Sequence, residues 1–218
     1  ILAILSGDSG LVEVFKTGKD VHSSVAAKVF GVKEEAVTKE MRRRAKVINF
    51  GIIYGMGVNA LKTSLGTTRQ EAEQFMTNYF DTFPTIKKYF ANVVALAKQR
   101  GYTETLFGRR RYLPALKSRL PQILAGAERM AMNAPLQGTA ADIIKLAMIK
   151  VDKNLQTAGL GGEAHLLLQI HDELIYEVAK AKVAEAEKII RLAMEGAIEL
   201  PVPLSVSFDV GASWLELS

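Results

Sequence analysis

Arg42, Lys46, Phe50 and Tyr54 recur every four residues in the run Arg42-Arg43-Arg44-Ala45-Lys46-Val47-Ile48-Asn49-Phe50-Gly51-Ile52-Ile53-Tyr54-Gly55. A helix turns once every 3.6 residues, so this spacing sets two cations, a phenyl ring and a phenol along one slowly drifting stripe. Val47, Ile48, Ile52 and Ile53 fall mostly on other faces, where they can dock the helix onto a core. Such a stripe suits a ligand with a polyanionic end and a flat end, and a nucleoside triphosphate is one. Arg and Lys meet phosphates, and the rings meet sugar and base. The plainer alternative is a basic amphipathic helix with a solvated face. Two aromatic rings on the charged stripe weigh against it, because a solvated face has no use for them.

Around that helix the chain reads as mostly helical. Residues 1–30 alternate helix and turn, with turns at Gly7-Asp8-Ser9-Gly10 and Thr17-Gly18-Lys19-Asp20. Asp20 suits the N-cap of a helix from Val21 to Phe30, closed by Gly31. Thr38 is a candidate cap for the central helix, which should end near Gly55-Met56-Gly57. Thr68-Arg69-Gln70-Glu71 has capping-box spacing and opens a helix with Ala72, Phe75, Met76, Tyr79 and Phe80 on one face. Pro84 breaks or bends it, and a further helix from Thr85 ends near Arg100-Gly101. Tyr102 to Leu113 reads as a short hairpin with a basic tip, stopped by Pro114.

A long helical segment is expected over about 125–155, interrupted by Pro135 and Gly138. Its Arg129, Asn133 and Gln137 form a second stripe, again four apart. Amides and an Arg in register can reach base edges or phosphates across a groove. Ordinary helix polarity around a satisfied kink accounts for the spacing equally well. Beyond Gly161-Gly162 the texture turns to strand. Leu166-Leu167-Leu168-Gln169-Ile170 reads as a strand buried on both faces, and Leu174 to Val178 as its partner. An amphipathic helix follows over about Val183 to Ile198, and Val202 to Val210 reads as a last strand before Trp214. The sum is α+β, helices dominating, with an antiparallel sheet toward the C-terminus.

Bulk properties narrow the partners. The 218 residues carry a net charge of +5 and a pI near 9.3, which favours polyanionic partners but is too mild to establish nucleic-acid binding. The placement of the charge says more: two Arg triplets, 42–44 and 109–111, both lie beside aromatics. Without cysteine there can be no disulfide or Cys-based zinc site, and three scattered histidines make a His-rich metal site improbable. No apolar run reaches the roughly 20 residues that span a bilayer. The apolar opening Ile1 to Gly7 lacks a charged flank and is not a signal peptide. With no initiator Met and an opening in mid-pattern, residue 1 reads as a cut.

His171-Asp172-Glu173 lies where the two apolar strands must reverse. Neighbouring carboxylates there project in opposite directions, so one of them serves a given site. Asp172 suits a hard cation such as Mg²⁺, which takes one or two carboxylates with substrate phosphates and water. An Asp in a turn also has a purely local use. Two-metal phosphoryl chemistry needs a second carboxylate source, and none is convincing: Asp8, Asp20 and Asp142 read as turn, cap and helix surface.

Arg42, Lys46, Tyr54 and Gly55, in their context from Met41 to Gly55, closely resemble motif B of the family A DNA polymerases, the DNA polymerase I group. Gln169-Ile170-His171-Asp172-Glu173-Leu174 resembles that family's motif C. Thr105 to Pro114 and Ala127 to Asp142 also look like family segments, in family order, so the resemblance covers essentially the whole chain. It implies mostly helical fingers plus the antiparallel palm sheet of a right-hand polymerase, incomplete. On that pattern 1–30 is a palm-to-fingers entry segment, 31–115 the fingers and 116–218 the palm. The implied function is template-directed DNA polymerisation, by transfer from dNTP to a primer 3′-hydroxyl with two Mg²⁺ ions. Primer-template DNA and dNTP would be the partners, the chain a monomer with no membrane association. Its place would be the cytoplasm of a bacterium or a phage-infected cell, with an organelle left open.

By the same likeness Arg42 and Lys46 would hold the triphosphate, Lys46 also placed to protonate the departing pyrophosphate. Phe50 would pack on the sugar, and as a Phe would discriminate against dideoxynucleotides. Tyr54 would stack at the templating position. His22, otherwise a histidine at a capped helix start, would lie beside the incoming nucleotide. Arg129, Asn133 and Gln137 would touch primer and template in the minor groove. His171 would sit by the primer end, Asp172 would bind both metals, and Glu173 would be close by in a less essential role. Three departures stand out. Motif A, with the other metal-binding Asp, would end just before Ile1, leaving the isolated chain inactive, and the thumb and any nuclease domains are absent too. Leu124 stands where an Arg is expected, weakening a template contact, and Gly57 replaces a frequent Ser. A relic that only binds DNA, and a single-subunit RNA polymerase, are the rival readings. Intact Lys46, Tyr54 and Asp172 speak against the first, Glu173 and the Arg129–Asn133–Gln137 pattern against the second.

Overall fold

Local signals set most of the helices. The computed structural model describes residues 1–217. Helix α1 spans Leu2–Ser6, α2 Ser9–Lys16 and α3 Val21–Phe30. Asp20 caps α3 by accepting from Ser23 N at 2.7 Å, and Gly31 ends it at φ 66°. Asp8 caps α2 in the same way through Leu11 N at 3.0 Å. Its other oxygen accepts from Thr85 Oγ1 at 2.7 Å, in the first turn of a helix 77 residues away. Asp8 is nearly inaccessible, so this carboxylate is a buried tie between two helix starts, where the dipoles favour it.

Helix α4 covers Lys39–Ile53 behind a Thr38 cap, and α5 covers Val58–Leu65. Helix α6, Arg69–Thr82, opens on a complete Thr68–Glu71 capping box, and hydrogen bonds from the Thr67 hydroxyl and then from the Thr68 backbone and side chain pull the Glu71 carboxyl down to about 2. Pro84 then starts α7, Pro84–Arg100, as an N-terminal helix proline does. Strands β1, Tyr102–Glu104, and β2, Arg110–Tyr112, pair antiparallel as a small hairpin.

The segment expected to break at Pro135 and Gly138 does not break. Helix α8 is continuous from Pro121 to Thr157, with Pro135 inside it. Proline removes the donor that would reach the Ala131 carbonyl, but Ala131, Ala134, Pro135 and Leu136 are buried on both sides of the defect. Burial of this stretch offsets the lost bond. Gly138 has a different reason to be glycine: a Cβ there would lie 2.5 Å from Cγ2 of Thr105 in the β1–β2 hairpin.

The chain divides into two compact units, Ile1–Thr139 and Ala140–Ser218, with the boundary inside α8. The core of the first joins Val25, Ile48, Ile52, Leu61, Tyr79 and Phe83. A satellite cluster of Ala97, Leu113, Leu116, Ala127 and Ala131 lies under the hairpin.

In the second unit β3, Ala164–Ile170, and β4, Glu173–Val178, form an antiparallel pair, and α9 covers Val183–Glu195. Its core gathers Val151, Leu155, Leu160, Ala164 and Ile190. Two expectations need correction here. Leu166, Leu167 and Leu168 are 38–54% exposed, not buried on both faces, because no described element covers them. The stretch 202–210 is not a strand. Side chains hold it instead: Arg191 donates to the Val206 carbonyl at 2.5 Å, and Val206 N donates to Glu195 at 3.1 Å, so α9 takes up hydrogen bonds a ladder would use.

Candidate functional site

Helix α4 presents the stripe as its spacing demands. Ala45, Ile48 and Ile52 are buried, while Arg42, Lys46, Phe50 and Tyr54 all face solvent, Phe50 46% and Tyr54 53% exposed. Exposed rings on a helix whose other side is well packed are uncommon in a face meant only for water.

The Arg triplet is not three equivalent cations. Arg43 and Arg44 both reach Glu40 on their own helix, at 2.7 and 2.9 Å, and draw its carboxyl down to about 2. Arg42 turns the other way and forks onto Asp20, Nε to Oδ1 at 2.9 Å and Nη2 to Oδ2 at 2.8 Å. Asp20 therefore caps α3 and holds a guanidinium at once, and the Arg42 fork pushes its carboxyl well below the usual range. Lys46 has no carboxylate partner among the described residues, which leaves an unpaired ammonium one turn beyond Arg42.

His22, in the first turn of α3, faces the same stripe. Its ring lies 5.9 Å from that of Phe50, tilted by 49°. Asn49 Nδ2 sits 3.2 Å from its Nδ1. Partial burial lowers the imidazole pKa, Asp20 opposes that, and Arg42 and Lys46 add to it. The ring is thus kept neutral at physiological pH.

At the far end of α4, Tyr54 closes the helix and Gly55 follows at φ 65°, with Met56 N bonded back to the Gly51 carbonyl at 2.7 Å. The α8 stripe meets this end. Asn133 Nδ2 donates to the Ile53 carbonyl at 3.2 Å, and Gln137 Nε2 donates to the Tyr54 hydroxyl at 3.4 Å. A Cβ on Gly55 would lie 2.7 Å from Met132 Cε and 3.0 Å from Arg129 Cγ. Seven of the residues singled out by spacing or likeness, from His22 to Gln137, thus adjoin or line one helix, and Arg129 packs against its end. Asn133 and Gln137 spend hydrogen bonds on α4 as well as facing outward. Leu124, in place of the expected Arg, packs against the satellite cluster of Leu113 and Leu116.

The second unit carries the acidic turn. His171 and Asp172 alone link β3 to β4, with Ile170 paired to Glu173. His171 adopts φ 53°, a left-handed value that suits a two-residue reversal and that His tolerates better than most residues. Gln169 Nε2 donates to the His171 carbonyl at 2.6 Å and stiffens the turn. His171, Asp172 and Glu173 are all exposed. A cleft of about 470 Å³ beside them is lined by Asp172, Glu173, Tyr176, Phe208, Asp209 and Trp214. Asp172 offers the hard oxygen donor that Mg²⁺ prefers. Among the described residues no three His, Asp or Glu side chains gather into a metal-binding group. Asp172 therefore fits one corner of a metal centre and not the whole of it.

Sequence reading passed over Asn49 and gave Asp20 half its role. Their partners lie 27 and 22 residues away, beyond any local pattern.

Residues 1–216 match the family model described as DNA polymerase family A. The chain is 47% identical over 216 residues to "DNA polymerase I, thermostable" of Thermus filiformis, covering 99% of this chain and 26% of that protein. It is 48% identical over 214 residues to the DNA polymerase I of Mycobacterium bovis, covering 98% and 24%. Among solved structures it is similar to the POL domain of Pol1 from M. smegmatis, complexed with DNA primer-template and dNTP. The TM-score there is 0.89 at 47% identity, over 94% of this chain and 36% of that one. The chain spans about a quarter of the length of the curated relatives it matches.

Proposed function

We propose a function from one premise: this chain belongs to DNA polymerase family A. Its work is template-directed nucleotidyl transfer from dNTP to a primer 3′-hydroxyl, with residues 31–115 as fingers, 1–30 as the entry segment and 116–218 as palm. The observation that carries the reading is the α4 stripe, two cations and two rings exposed on a helix whose other side is packed. His22 edges the stripe beside Phe50, and Gln137 edges it at Tyr54.

Each residue then has a physical task. Lys46, a compact point charge without a carboxylate partner, meets the phosphates and is placed to donate a proton to the departing pyrophosphate. Arg42 brings a preformed fork whose geometry suits phosphate as well as carboxylate, so a bound triphosphate competes with Asp20 for it. Phe50 packs on the sugar, and Tyr54 stacks at the templating position with its hydroxyl steadied by Gln137. Arg129, Asn133 and Gln137 face the minor groove, and His171 the primer end. Asp172, with Glu173 in a lesser role, stands at the metal corner. Asp172, together with a second carboxylate, would hold two Mg²⁺ ions, which when bound would supply the positive charge that favours the 3′-oxyanion and the leaving oxygen. Primer-template DNA and dNTP are the partners, as both are bound in the mycobacterial relative. The chain acts as a monomer in the cytoplasm. No helix among the described residues is long and apolar enough to cross a membrane.

The reading is tested by primer extension with Mg²⁺. The 218 residues alone are expected to extend nothing. In a complete enzyme that contains them, Asp172→Ala is expected to abolish incorporation while DNA affinity stays within about twofold. Surviving activity in that variant would remove Asp172 from the metal site. Preference for rNTP over dNTP on the same template would favour the RNA polymerase reading.

A further inference from the structure

Asn49 stands one residue before Phe50 but on the inner side of α4, only 8% exposed. Its Oδ1 is out of reach of solvent and has no hydrogen-bond partner among the described residues. A buried, unmade hydrogen bond is costly, whereas an apolar side chain of similar size would carry no such penalty. The amide is therefore poorly explained by packing. What it does make is one bond, Nδ2 to Nδ1 of His22 at 3.2 Å, across the α3–α4 contact.

The direction of that bond fixes the chemistry of the ring. With the amide oriented Nδ2 toward the ring, Nδ1 is the acceptor, and the single proton of a neutral imidazole is left on Nε2. The alternative tautomer would set two N–H groups against each other at Nδ1 and present a lone pair at Nε2. Toward an anionic oxygen that lone pair is repulsive. The groups facing the ring are Asp20 at its own helix start and Arg42 and Lys46 on α4, and their balance together with burial keeps it uncharged. An uncharged ring can offer an anion only one proton, so its tautomer decides whether it helps or hinders.

We propose that Asn49 is a positioning residue: its Nδ2 donates to Nδ1 of His22, holds the imidazole as the Nε2–H tautomer, and so aims one donor at an anionic oxygen of a triphosphate on Arg42 and Lys46. The second half of this assignment rests on reading α4 as a nucleotide-binding helix.

The chain's three histidines make nitrogen NMR decisive. In uniformly ¹⁵N-labelled protein at neutral pH, with the His22 signals assigned by their loss in His22→Gln, His22 is expected to show bare Nδ1 and protonated Nε2. Asn49→Leu releases the constraint and gives a mixed tautomer signature. Asn49→Asp puts an acceptor in the same volume, moves the proton to Nδ1 and raises the His22 pKa. A second arm titrates inorganic triphosphate. The Nε2–H signal of the wild type is expected to move on binding, and affinity to fall about 5–10-fold in Asn49→Leu and further in Asn49→Asp, with unchanged far-UV circular dichroism. A wild-type ring protonated at Nδ1, or a tautomer indifferent to both substitutions, overturns the role of Asn49. The expected tautomer with no response to triphosphate leaves the hydrogen bond standing and overturns the nucleotide-binding purpose.

Discussion

At Asp20 one carboxylate serves two demands, capping α3 and gripping Arg42, and the pH dependence of the fold should show it. Its folded-state pKa is depressed by the Arg42 fork and the Ser23 bonds. A depressed carboxyl contributes stability that is present above its unfolded value, near 3.9, and is lost as pH falls through the folded value. Asp20→Asn keeps the cap, since Asn caps as well as Asp, and removes only the charge pair. The melting temperature of Asp20→Asn should therefore lie slightly below wild type at pH 6, by a few degrees at most for a half-exposed pair. The gap should begin to close as pH falls through about 4. Thermal scans from pH 6 to pH 2.5 measure it, and a gap independent of pH would show that the fork adds nothing to stability. The same fork means that a phosphate ligand takes Arg42 from Asp20 instead of meeting an idle cation.

Among the elements, α8 meets the β1–β2 hairpin closely at Gly138, where a Cβ would lie 2.5 Å from Thr105 Cγ2. Arg109 Nη2 donates to the Gly138 carbonyl at 2.9 Å, and Leu106 N donates to Thr139 Oγ1 at 2.9 Å, so the hairpin is fastened where the helix lacks a side chain. Gly138→Ala gains about 1 kcal/mol of helix propensity but forces a methyl against Thr105 Cγ2, and overpacking of that kind costs about 1–3 kcal/mol. A net loss of up to about 2 kcal/mol is expected by urea denaturation. Thr105→Ser removes Cγ2 and keeps the hydroxyl that accepts from Phe107 N and Arg109 N. In that background Gly138→Ala should become neutral or stabilising by up to about 1 kcal/mol. If the double variant is as unstable as the single, the close approach is not what glycine serves.

For the molecule as a whole, charge sets how strongly a polyanion would be attracted. A net +5 is modest, and three of the basic side chains nearest the stripe are already tied to Asp20 or Glu40. Binding of primed DNA by the 218 residues should accordingly be weak and only moderately salt-dependent. Each neutralised phosphate contributes a slope of about −0.9 in log K against log salt, so three contacts give about −3. Fluorescence anisotropy between 50 and 200 mM salt reads the slope, and a value near zero would mean that phosphates are not being contacted.

How much of this was legible beforehand follows from how far apart the interacting groups lie in the chain. Interactions that close within a few residues were readable: the caps at Asp20, Thr38 and Thr68, the Pro84 helix start, the α4 stripe and the strand reversal at His171-Asp172-Glu173, though not that Glu173 already belongs to β4. The family likeness was readable too, because it rests on ordered local motifs. Tertiary structure alone decided the rest. Helix α8 passes Pro135 because burial of Ala131, Ala134 and Leu136 outweighs one lost backbone bond. Residues 202–210 are not a strand, and at Val206 both backbone groups are taken by Arg191 and Glu195 of α9. Arg42 belongs to Asp20, Asn49 to His22 and Asn133 to Ile53 across separations of 22, 27 and 80 residues. Periodicity and capping are properties of neighbouring residues, and the sequence alone carries them. The partner of a side chain at such range exists only once the helices have packed.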